Sequence, residues 1–357
     1  FASHLHAFVW LRDLMAQGDR GAREALRLTL LWETTFRRWS PFAWGPELLA
    51  RRVYHLSCAA KRMGAVATEA ERVRLATLLA RQTRQLLRPP GGQAGKAERL
   101  TAAAISGCVL AGPVGARLRN TALKRLSSAL KATVAADGAH GSRSPEAGLE
   151  LILDLLTLQD ALSQLSQTVP PAVNDALARL QSACTILTLP DDRLASFQGG
   201  GPSTEDRVGA ARDDIAPSAR VDTVRQVGQY YRLEGSLLSV ITDGGRIPQG
   251  TWGATACAQP LALEIVCGRD RLITGSGWTP DAAERDGLRL TPAHSTLTLG
   301  EESLAQPLRG WRSELLGPRL IGRPVHVEVE HRSADGAVWL DMEHDGWAVP
   351  YGLMHQR

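Results

Sequence analysis

Four residues stand in a pattern that chemistry could use: His140, Arg143, Tyr230 and His294. The first two lie in Asp137-Gly138-Ala139-His140-Gly141-Ser142-Arg143-Ser144-Pro145. Gly138 and Gly141 loosen the backbone, and Ser144 followed by Pro145 has the N-cap and first-turn chemistry of a helix start. A helix start carries unpaired N–H groups and a partial positive charge, so an imidazole and a guanidinium beside it make a receptor for a carboxylate. Taken alone, the same residues also fit a plain loop with one histidine and one solvated arginine. Tyr230 and Tyr231 open a strand-like stretch, Gly228-Gln229-Tyr230-Tyr231-Arg232. A phenol near cations can act as both base and acid, although tyrosine in a strand is more often packing.

A second cluster joins Trp39, Trp44 and Tyr54 with Arg37, Arg38, Arg51 and Arg52 around the breaks at Pro41 and Pro46. Flat aromatic faces beside guanidinium groups suit sugar rings bearing carboxylate or sulfate. His294, His326, His331, His344, Asp345 and His355 are the metal candidates, yet no pair has a spacing that demands a metal, and His326 and His331 flank a strand on its solvent side. No GxSxG, Walker A or GxGxxG pattern is present. Five cysteines without CxxC spacing argue against a disulfide framework or a cysteine zinc site.

The elements that must position these residues change character midway. Residues 4 to about 188 carry apolar positions at helical spacing, as in Leu123, Leu126, Leu130 and Val134, and about eight helices are expected. Over residues 149 to 165, Leu149, Ile152, Leu153 and Leu156 on one line and Leu155, Leu158, Leu162 and Leu165 on another mark one of them as buried over a wide arc. Repeated helix-turn-helix connections imply stacked helical hairpins in an array or toroid. Residues 191–220 have linker composition. Beyond them the period becomes two, around Leu261 to Val266, Val325 to Val329 and Val338 to Met342, with turns at Asp243-Gly244-Gly245, Asp286-Gly287 and Asp335-Gly336. The expected fold is multi-domain α and β: a helical toroid over 1–190, a seam over 191–220 and an antiparallel β-sandwich over 221–357.

At 357 residues the chain suggests two domains, and its 44% hydrophobic and 22% charged content are those of an ordinary globular protein. Its net charge of +4 divides unevenly, +9 over residues 1–200 and −5 over 201–357. A basic first half suits an anionic partner, nucleic acid or acidic polysaccharide, and solvated helix faces account for much of it. No apolar run is long enough to span a membrane. The absence of an initial Met and a final strand running to Arg357 make the chain read as a fragment of a longer protein.

In their order along the chain these segments resemble the heparinase II/III-like polysaccharide lyases, of which this would be a divergent bacterial member. The resemblance runs from His4 to Asp13, through the Trp39 to Arg52 cluster and the His140 loop, to Tyr230-Tyr231-Arg232, His294-Ser295-Thr296, and His344 to Trp347 with His355. It implies an incomplete α/α toroid followed by a β-sandwich, and β-elimination at a uronate-containing polysaccharide, alginate lyase-like, in the cleft between them. His140 and Arg143 would neutralise the carboxylate, without which the neighbouring C5 proton is scarcely acidic. Tyr230 would be base and acid, Tyr231 its alternate by one register step, and His294 a further catalytic histidine. Trp39, Trp44, Arg51 and Tyr231 would bind substrate. No nucleic acid, membrane span, metal or cofactor is expected, and the family's setting would be periplasmic or cell envelope. Cys257 replaces a family histidine, and Leu272-Ile273-Thr274-Gly275 lacks the aspartate that zinc-binding members have. These departures support the rival expectation, a catalytically inactive glycan-binding envelope protein.

Overall fold

The computed structural model describes residues 1–88, 94–212, 224–279, 286–323, 325–334 and 337–357. The expected turn at Asp335-Gly336 and most of the second half of the seam lie outside them. Helices come first: α1 (Ala2–Ala7), α2 (Leu11–Met15), α3 (Gly18–Phe36), α4 (Pro46–Val66), α5 (Glu69–Leu86), α6 (Lys96–Val109), α7 (Gly112–Thr133), α8 (Pro145–Gln164), α9 (Pro171–Leu187) and α10 (Glu205–Ala211). Their starts follow local chemistry. Pro46 occupies the first turn of α4 and Thr68 with Glu71 closes a capping box on α5. Among the described residues no helix is long and apolar enough to cross a membrane.

The chain divides into two compact units, residues 1–131 with 154–174, and residues 132–153 with 175–357. In the first, α4 packs on α1, α3, α5 and α6, with Val53, Leu56 and Met63 wholly buried. Leu155, Leu158 and Leu162 of α8 are also wholly buried, whereas Leu165, on the same apolar line and just past the helix end, is 40% exposed. The second unit contains the His140 loop together with the sheets. Residues 191–220, expected as linker, are structured over much of their described part: Leu194, Ala195 and Phe197 are buried, and α10 lies within them.

The second unit's strands are β1 (Arg225–Val227), β2 (Tyr230–Glu234), β3 (Leu238–Asp243), β4 (Leu263–Cys267), β5 (Asp270–Ile273), β6 (Ala305–Pro307), β7 (Leu320–Gly322), β8 (Val327–Ala334), β9 (Ala337–His344) and β10 (His355–Gln356), with short helices α11 (Trp311–Leu316) and α12 (Ala348–Tyr351) between them. They form an antiparallel meander β1-β2-β3-β4-β5, a three-stranded sheet β10-β9-β8 and the pair β6-β7. Tyr230 opens β2. Gly228 and Gln229, with φ of 58° and 66°, make the two-residue hairpin turn that sets Val227 opposite Tyr230.

Candidate functional site

The loop before α8 is built as its sequence indicates. Ser144 caps the helix through Ala147 N–H at 3.3 Å, and α8 begins at Pro145. Gly138 has a φ of 89°, and a Cβ there would lie 2.0 Å from the Arg179 carbonyl oxygen, so only glycine fits. Asp137 accepts from Ala139 N–H at 3.1 Å and from Gly228 N–H at 2.7 Å, fastening the loop to the β1–β2 turn. His140 Nδ1 lies 3.2 Å from Ser142 N–H and 2.7 Å from Ser142 Oγ; the ring meets Trp252 edge to face at 5.4 Å.

His140, Arg143 and Tyr230 do come together, lining a cavity of about 20 Å³ with Leu149, Leu180, Leu187 and their neighbours. That is room for one water, not for a sugar ring. Arg143 is committed on all three nitrogens: Nε to the Gly228 carbonyl at 2.9 Å, Nη1 to the Arg246 carbonyl at 2.8 Å, and Nη2 to the Asp243 carboxylate. Its guanidinium lies 4.7 Å over the Tyr230 ring. Burial works against its charge, but Asp243, Tyr230 and the Asp243 hydrogen bond outweigh that and raise its pKa.

Tyr230 is 1% exposed and stacked on Phe197 at 4.9 Å, and its hydroxyl donates to the Arg143 carbonyl at 2.7 Å. Nearby cations were expected to acidify this phenol. Burial instead pushes its pKa well above the ordinary tyrosine value, with Asp243 and Cys257 adding to the rise and Arg143 only partly opposing it. Tyr231, one register step away, is the more open ring; its hydroxyl accepts from Gln226 Nε2 at 3.1 Å.

The residue that sequence reasoning missed is Asp243, which appears there only as a turn signal. Wholly buried, it accepts from Arg143, Gly245 N–H at 2.9 Å, Gln198 Nε2 at 3.1 Å and Gln259 Nε2 at 3.3 Å. Gln198 Oε1 in turn takes Cys257 N–H at 2.9 Å, and burial drives the Cys257 thiol up to about 12. The network holds the centre of the site shut with protein groups.

His294 stands apart. It ends a short 3₁₀ turn and makes no hydrogen bond or ring contact with His140, Arg143 or Tyr230. Burial lowers its pKa to about 4, and Nε2 has no hydrogen-bond partner among the described residues. His344 and His355 form a buried pair across β9 and β10 at 3.1 Å. Among the described residues no three histidine, cysteine or acidic side chains converge as metal ligands.

Of the expected substrate-binding residues in the other unit, Trp39 is 66% exposed, while Trp44 is nearly buried and donates to the Phe36 carbonyl at 3.2 Å. They line one groove with Arg37, Arg81, Arg84, Gln85 and Arg88. Arg51 is not among them: it makes a two-point ion pair with buried Asp154 and lies 5.3 Å over Tyr54.

A helical region thus leads into antiparallel sheets, with the His140 loop fastened to the first hairpin. Residues 216–357 match the family "Heparinase II/III-like, C-terminal". The particular relative is FtsZ-localized protein C of Caulobacter vibrioides (strain NA1000 / CB15N), 46% identical over 359 residues that cover all of this chain and 62% of that protein. The chain therefore spans less than two thirds of that relative's length. Among solved structures, heparinase III aligns with a TM-score of 0.70 at 13% identity, over 96% of this chain and 60% of its own. The heparan sulfate lyase HepC of Pedobacter heparinus aligns at 0.56 and 15%, over 96% and 60%. Those likenesses give the fold, an α/α toroid followed by a β-sandwich, as the motifs implied.

Proposed function

We propose that this chain is a catalytically silent, lyase-fold module of a protein that works at the bacterial division site. The observation that carries the first half is the closure around Tyr230: its hydroxyl is spent on the Arg143 carbonyl and Arg143 is spent on Asp243, beside a cavity of about 20 Å³. β-Elimination at a uronate needs a free cation to neutralise the sugar carboxylate and a tyrosine that reaches the C5 proton. Here both groups would first have to abandon buried partners. The second half rests on the relative that is 46% identical and FtsZ-localized by name.

Two measurements test the reading. Folded protein incubated with alginate, heparan sulfate, chondroitin and hyaluronan should give no rise in the ultraviolet absorbance of unsaturated uronate. A fluorescent fusion of the full-length protein, expressed in Caulobacter vibrioides, should colocalise with FtsZ. A product signal that disappears in Tyr230→Phe would instead establish the elimination reading, with His140, Arg143 and Tyr230 in the roles the family implies. A diffuse fusion would remove the division assignment.

A further inference from the structure

The groove of the helical unit holds a concentration of charge that the fold does not use. Past the middle of α5, Arg81, Arg84 and Gln85 recur at the three- and four-residue spacing that puts them on one face, Arg88 follows just past the helix end, and the α3–α4 connection brings Arg37, Trp39 and Trp44 against them around a groove of about 530 Å³. Arg81 donates to the Arg37 carbonyl at 2.8 Å and lies 5.0 Å over Trp44. The side chains of Arg37, Arg84 and Arg88 have neither a hydrogen-bond acceptor nor an acidic partner among the described residues, and no Asp or Glu lines the groove.

A fifth cation stands behind Trp44. Arg52 is wholly buried, 5.5 Å from the Trp44 ring, and donates to the His6 and Ala43 carbonyls at 2.8 Å each and to Gln82 Oε1 at 2.8 Å. Its Nη2 has no hydrogen-bond partner among the described residues. Trp44 thus has two guanidinium groups close to its ring. One or two cations would suffice to offset the negative end of α5. Like charges at helical spacing repel, so the surplus costs stability unless a ligand bears several negative charges. A single carboxylate leaves most of it uncompensated. A chain of phosphates matches it, because guanidinium forks grip phosphate oxygens in pairs. Trp39, 66% exposed at the same groove, offers an indole face to a planar ring.

We propose that this groove binds a nucleoside di- or triphosphate, with its phosphates on Arg37, Arg84 and Arg88 and its base on Trp39. The test is titration calorimetry at physiological salt with ATP, ADP, inorganic pyrophosphate and a chondroitin tetrasaccharide. ATP and ADP should bind more tightly than pyrophosphate, and the tetrasaccharide should not compete. Arg84→Gln with Arg88→Gln should weaken the nucleotides and pyrophosphate about tenfold or more, whereas Trp39→Ala should weaken ATP about threefold and leave pyrophosphate unchanged. All three side chains are exposed, so the variants should melt as the parent does. Absence of ATP and pyrophosphate binding at millimolar concentration, equal affinity in the double variant, or displacement of ATP by the tetrasaccharide would overturn the proposal. Undiminished ATP affinity in Trp39→Ala would overturn the base contact.

Discussion

Replacing Asp243 with Asn tests the closure most directly. The substitution keeps the volume and one carbonyl acceptor but removes the charge that balances Arg143, whose side chain is 11% exposed against 0% for Asp243. It also turns an NH₂ group toward the Gln198 and Gln259 amides, which both donate to the carboxylate. Breaking a buried ion pair from one side costs about 3–5 kcal/mol, because the surviving charge is left uncompensated. For a unit of this size that is a fall in melting temperature of roughly 10 °C. Chemical denaturation should show the midpoint shift with an unchanged slope, and Arg143→Met should cost a comparable amount. In the double variant the losses should fall short of their sum by about 2 kcal/mol or more. A midpoint for Asp243→Asn within about 0.5 kcal/mol of the parent would mean that Arg143 does not depend on Asp243. The guanidinium would then be available to a ligand, and the reading of the site as closed would fail.

Tyr230→Phe removes one buried hydrogen bond and should cost about 1 kcal/mol, with no change in any ligand-binding isotherm of the helical groove; calorimetric melting checks the first and titration the second. Gly138→Ala forces a side chain into a φ of 89° and against the Arg179 carbonyl, and should destabilise by about 2 kcal/mol or more, read from the same denaturation curves. Acid should weaken the sheet unit through His344, which burial lowers from 6.5 to about 4, with His355 adding to the shift. The unfolded chain takes up this proton near pH 6.5 and the folded chain resists it until about pH 4. Stability is therefore complete above pH 6.5 and declines below it, by about 3 kcal/mol for this group. Denaturation at pH 7.5 and pH 5 should show the loss, and His344→Asn should reduce it while leaving the share of His294, which burial also lowers to about 4.

The architecture was legible because it rests on periodicity. The switch from helical to alternating spacing near residue 190 matches the order of helices and strands, and Ser144-Pro145 marks the first turn of α8. The site was legible only as a set of neighbours. His140, Arg143 and Tyr230 meet, but nothing in their own types or spacing shows that Arg143 is already neutralised, since its partner lies 100 residues on. Asp243 has the ordinary look of a turn residue, and its burial follows from β3 pairing with β4 on one side and β2 on the other. The cationic groove was half legible for the same reason. Trp39, Trp44 and Arg37 are close in sequence, but Arg81, Arg84 and Arg88 arrive from the next helix hairpin, and Arg51, their neighbour in the chain, turns to Asp154 instead.

On the proposed reading, silence would be a property of packing and not of one missing residue. The family resemblance implies that Cys257 takes the place of a histidine that can assist proton transfer, so Cys257→His is the restoration it suggests. In this structure Cys257 is 1% exposed, its backbone N–H is held by Gln198, and Gln198 is held by Asp243. An imidazole there must displace groups that already satisfy one another, and overpacking of this order costs about 1–3 kcal/mol. Even if accommodated, it would find a tyrosine whose proton is donated to a carbonyl and an arginine whose charge is spent. Cys257→His should therefore lower stability and yield no unsaturated product from any uronate polymer. Robust elimination by that single variant would place the defect in one residue and return Arg143 and Tyr230 to working roles.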